Sequence, residues 1–92
     1  MEERITDVEV AGYITRFRFG RNICSLESEV YDDDNEGYIL KYRGINVEWG
    51  RVNGDPFKII PPTFIGKRRF LEAFRKYFGY DLVKISKEYP GD

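Results

Sequence analysis

The sequence predicts an α+β fold. The expected architecture is an antiparallel β-meander of five to seven strands, curled or barrel-like, with one C-terminal amphipathic helix packed on it and a final short strand. Three observations carry this expectation. Apolar and polar residues alternate with period two through the first two thirds of the chain. Turn-forming residues interrupt the alternation at short intervals. Beyond the consecutive prolines Pro61 and Pro62, the apolar spacing changes to three and four residues.

The elements follow in order. "RITDVEV" sets Thr6, Val8 and Val10 against Asp7 and Glu9, and "YITRFRF" sets Tyr13, Thr15, Phe17 and Phe19 against Arg16 and Arg18, with Gly12 as a bulge or turn between them. After "GRN" turns the chain, "ICSLESEVY" groups Cys24, Leu26 and Val30 opposite Glu27 and Glu29. Asp32, Asp33, Asp34, Asn35 and Glu36 then precede Gly37 as a hairpin loop, because Asp and Asn bond their own backbone. "GYILKYRG" and "INVEWGRV" continue the alternation, with Ile45, Val47 and Trp49 on one side and Gly44 at the reversal. Asn53-Gly54 is the strongest hairpin signal and leads into "FKII".

The prolines close the sheet region, since proline cannot donate to a central ladder. Phe70, Leu71, Phe74, Tyr77 and Phe78 then fill one arc of a helix that begins near Thr63 to Gly66, and Gly79 caps it. "DLVKI" is expected as the last strand. Phe70, Phe74 and Phe78 should be buried with Trp49 and Phe17.

Residues 1–92 form one domain, too short for a second core. Seven Phe, seven Tyr and one Trp can build that core from large side chains. A single cysteine, Cys24, cannot form an internal disulfide; with an N-terminus that reads "MEERITD" and no apolar run long enough to span a bilayer, it implies a cytoplasmic protein with no membrane contact. Charged residues reach 34% and Gln is absent, a balance that a thermophilic source favours. Residues 1–36 carry ten acidic and four basic groups, whereas 37–92 carry six and eleven, so the chain is bipolar along its length.

The same residues exclude much chemistry. Without histidine there is no Ser-His-Asp arrangement and no Cys-His pair, and one cysteine leaves zinc only carboxylates. Measured against the EF-hand loop, the acidic run has Asp32, Asp34, Glu36 and Gly37 in place, but Arg43 stands where the bidentate Glu belongs. "IGKRR" keeps only the Gly-Lys pair of a phosphate loop, with Pro61 in place of its first glycine and Arg68 in place of its Ser or Thr. No catalytic residue, cofactor or metal is therefore expected, although Glu48 or Asp55 beside another acid would suffice for carboxylate-pair hydrolysis.

What remains is binding. Arg68, Arg69, Arg75 and Lys76 share the polar face of the helix, Glu72 alone can neutralise them, and Lys67 adds a cation where the helix dipole disfavours one. In "RFRFGR", Arg16 and Arg18 project from a strand opposite Phe17 and Phe19, which the core claims. A meander also leaves free edges, which can pair with another strand or a second copy, unless charges such as Glu27, Glu29 and Lys41 guard them. The sequence thus points to a non-enzymatic module for a protein partner or for self-association. Nucleic-acid binding through the basic helix and the Arg/Phe strand is the alternative, ranked second because the isoelectric point is near 5.5.

Overall fold

The computed structural model describes residues 3–91. Six strands, β1 (Ile5–Ala11), β2 (Ile14–Phe19), β3 (Asn22–Asp32), β4 (Asn35–Tyr42), β5 (Ile45–Val52) and β6 (Asp55–Ile59), form one sheet in sequence order. Every neighbouring pair is antiparallel, and β6 does not return to β1, so the sheet is open and not a barrel.

Turn chemistry sets the registers. At Asn53-Gly54 both residues have positive φ, 52° and 82°, the backbone twist of the preferred two-residue hairpin. Asp32 makes the β3–β4 turn: its carboxylate accepts from the Asp34 N–H at 2.8 Å and from Asn35 Nδ2 at 3.0 Å. Those two bonds hold the Asp32 carboxyl below its usual pKa, with the Asn35 contact the larger cause. This turn is fastened to the next one, since the Gly54 N–H donates to the Asp34 carbonyl and the Asn53 N–H to Asn35 Oδ1, each at 2.9 Å. Gly12 lies in a plain turn, and the bulge falls in β1 instead, where Asp7 and Val8 stand between the pairs Thr6–Arg18 and Glu9–Arg16 and Asp7 takes φ 53°.

After β6 comes a short 3-10 segment, Pro62–Gly66, and then helix α1 (Arg68–Phe78), which ends on Gly79 at φ 86° with its N–H bonded to the Arg75 carbonyl. The chain finishes with a second helix, α2 (Leu82–Glu88), where a last strand was expected over "DLVKI". The Asp81 side chain accepts from the Lys84 N–H and caps this helix, and Leu82, Ile85 and Ser86 recur at helical spacing toward the protein. Among the described residues past α2, strand-like pairing is limited to one parallel bridge from Gly91 to Lys58.

The helices and the 3-10 segment cover one face of the sheet. Phe17, Phe19, Tyr42, Trp49, Phe64, Phe70 and Phe74 are buried together. Phe70 stacks on Tyr42 with ring centres 4.0 Å apart and meets Phe19 edge-on at 5.3 Å, while Phe74 meets Trp49 edge-on at 6.3 Å. Phe78 is half-buried against Phe17. Burial stops where the helices stop: Tyr13 and Val30, expected on the buried face, are 69% and 63% exposed, and Tyr77, at the rim of the helix stripe, is 54% exposed.

Candidate functional site

The polar face of α1 keeps the arrangement that its spacing predicts. Arg68, Arg69, Arg75 and Lys76 are all exposed, with Glu72 among them. Lys76 Nζ lies 3.1 Å from Glu72 Oε1, one turn away. Among the described residues no carboxylate lies within salt-bridge distance of Arg68, Arg69 or Arg75. Lys67 is the residue before the helix and makes no side-chain cap, so the first turn carries two arginines and no acid. That placement works against the dipole by a few tenths of a kcal/mol per charge, and an incoming anion would reverse the sign.

Arg16 and Arg18 do not join this group. They project from the face of the sheet that carries no helices, and Arg18 Nε sits 3.6 Å from Asp7 Oδ2 on the bulged strand. The two sets of cations therefore lie on opposite sides of the sheet. No single flat surface can engage both.

The two edges of the sheet are unlike. At β6 the C-terminal segment closes the edge: the Lys58 N–H donates to the Pro90 carbonyl at 3.2 Å, and Lys58 Nζ donates to the Ser86 carbonyl. At β1 only β2 pairs with the strand among the described residues. The charges considered as guards, Glu27, Glu29 and Lys41, lie on the inner strands β3 and β4 and protect no edge. The bulge at Asp7–Val8 does that work for β1 by breaking its regular ladder. Between Ile5 at the start of β1 and the side of α1 runs a groove of about 590 Å³, lined by Ile5, Ala73, Tyr77, Arg69, Glu72 and Lys76, with Glu3 and Arg4 at its end. Alternation alone could not have located this groove, because it depends on which strand the helix crosses.

Two titratable groups of the interior are shifted by burial. Burial pushes the Cys24 thiol up to about 11, which keeps it protonated and inert at neutral pH. Tyr38 is raised by burial first and then by the Tyr80 hydroxyl. Among the described residues, no three His, Cys, Asp or Glu side chains converge as a metal site would require. Nor is any helix there long and apolar enough to cross a membrane. No family model, no curated protein and no solved structure matches this chain.

Proposed function

We infer that the protein is a non-enzymatic binding module that works by contact with another protein, through the basic face of α1 and the groove that joins it to the β1 edge. One observation supports this reading: Arg68, Arg69 and Arg75 are exposed with no ion-pair partner among the described residues, and Arg69 lines, with Lys76 and Glu72, a groove whose other walls include Ile5, Ala73 and Tyr77. Exposed cations next to apolar surface suit a partner that brings carboxylates and a few apolar side chains. Such a partner gains orientation from the charges and affinity from the burial. The lone reduced thiol fits a cytoplasmic setting, and Lys67 adds to the positive potential at the start of the helix.

Nucleic acid is the second reading, favoured by Arg16 and Arg18. It is weaker for a physical reason: Phe17 and Phe19 are 1% and 2% exposed, so the strand offers no ring on which a base could stack. Peptide display against the immobilised protein tests the first reading. Enrichment of acidic sequences that vanishes with Arg69→Glu and Arg75→Glu supports it, and no enrichment contradicts it. Titration of labelled DNA and RNA at low and moderate salt tests the second, since phosphate-driven binding weakens steeply as salt rises.

A further inference from the structure

The face of the sheet opposite the helices has a composition that water alone does not explain. Ile14, Ile23, Ile39 and Ile59 all point to it, together with Phe57; Ile23 and Ile59 are 68% and 46% exposed. An antiparallel sheet may leave one face to solvent, but that face is then expected to be polar.

The charges on this face are sorted. Strand pairing aligns Glu9, Arg16, Ser25, Lys41 and Asn46 in one row across the sheet. The next row is Ala11, Ile14, Glu27, Ile39, Glu48 and Ile59, and the one after it is Glu29, Gly37, Gly50 and Phe57. On the other side of the first row lie Thr6, Arg18 and Ile23. Within β2 to β5, the cations Arg16, Arg18 and Lys41 therefore occupy one half of the face and the anions Glu27, Glu29 and Glu48 the other, with isoleucines interspersed in both.

We propose that this open face is a homodimer interface in which two copies pack sheet against sheet about a two-fold axis running along the rows. That axis lays the cationic half of each copy over the anionic half of the other, twice per dimer. The other in-plane two-fold, parallel to the strands, would set like charge on like charge, so the charge layout selects one arrangement. Aligned sheets pack at roughly 30°, a geometry available to two open faces of this kind. Over Gly37 the absence of a side chain leaves a hollow of about 310 Å³ whose walls carry four carboxylates, Glu27, Glu29, Glu36 and Glu48, against one cation, Arg51, with room for a long cationic side chain from the second copy. Six strands and four rows span about 25 by 20 Å, so a dimer would bury roughly 1,000 Å² in total, at the lower end of specific interfaces. The association is accordingly expected to be weak and salt-sensitive.

A charge exchange tests this without disturbing the core. One variant carries Arg16→Glu and Lys41→Glu, and the other carries Glu27→Lys and Glu48→Lys. Sedimentation equilibrium should show concentration-dependent dimers for the native chain, self-association weakened at least about tenfold in each variant alone, and dimers restored when the two are mixed one to one. Thermal unfolding of each variant checks that it is folded. A native chain that stays monomeric at millimolar concentration overturns the proposal, as does self-association of either variant at native strength. Failure of the folded variants to associate on mixing would overturn it as well. None of these substitutions touches α1, so loss of the acidic-peptide binding proposed above would leave this result unaffected.

Discussion

On one side of α1, Phe70 and Phe74 are 1% and 0% exposed and meet rings from β2, β4 and β5; on the other, Arg68, Arg69 and Arg75 stand in water with no carboxylate within salt-bridge distance among the described residues. Both sides come from the same eleven residues. The difference lies in what each side could lose. Removing a buried ring forfeits its transfer free energy and leaves a cavity, whereas removing an exposed guanidinium returns a solvated chain to water. Selection for folding explains the first side. It does not account for three unpaired cations on the second, which is why the binding reading is attached there.

The comparison can be broken first at its buried side. Phe74→Ala should cost about 3 to 5 kcal/mol, a large fraction of the stability of a domain this size. Chemical denaturation measures it, and a loss under ~1 kcal/mol would mean that the helix is not seated as described.

Next in size is a pH effect from the same core. The Cys24 thiol has an ordinary pKa of 9.0 and is raised by burial to about 11 in the fold. Below pH 9 both folded and unfolded chains hold the proton, so nothing changes there. Between pH 9 and 11 the unfolded chain releases it and the folded one does not, so stability falls as pH rises. The total is about 2 to 3 kcal/mol, counting ~1.4 kcal/mol for each unit. Unfolding followed across that window should fall less steeply for Cys24→Ala than for the native chain. Parallel slopes would show that the thiol is not buried as drawn.

Smaller again is the cost of a side chain at Gly54. Its φ of 82° belongs to the region that favours glycine, so Gly54→Ala should destabilise by about 1 to 2 kcal/mol. It should also loosen the β3–β4 turn, which receives the Gly54 N–H at the Asp34 carbonyl. Amide exchange at Gly54 and at Asp34 would report that loosening.

Much of the fold was legible because local chemistry and tertiary structure agree. Asn53-Gly54 names its hairpin from two residues, and the 70/74/78 spacing names the buried stripe. The acidic run does hold a turn, through the reach of Asp32 to the Asp34 backbone, but the turn is only Asp33 and Asp34, and Asn35 to Gly37 already belong to β4. Where the sequence misleads, a short stretch is ambiguous. "DLVKI" alternates well enough for a strand, yet Asp81 is a helix cap, and the helix it starts has only seven residues.

Val30 and Tyr13 mislead for another reason. Alternation assigns them a side of the sheet but says nothing of how far the helices reach along it. The candidate site was half legible. The cations of α1 follow from a helical wheel, but their separation from Arg16 and Arg18, and the groove beside β1, depend on which face of the sheet the helix covers. The sorted charges of the open face appear only once all five strand registers are known.

The central claim is that the solvent side of α1 exists for a partner and not for the fold. It is tested most directly by Arg68→Ala with Arg75→Ala, measured for stability and for capture in parallel. The account predicts thermal stability nearly unchanged, within about 0.5 kcal/mol as for ordinary surface substitutions. It also predicts loss of the proteins that the native chain retains from its own cell extract, read by mass spectrometry alongside a stain for nucleic acid. Recovery of the same partners in the same amounts by the doubly substituted protein would contradict it.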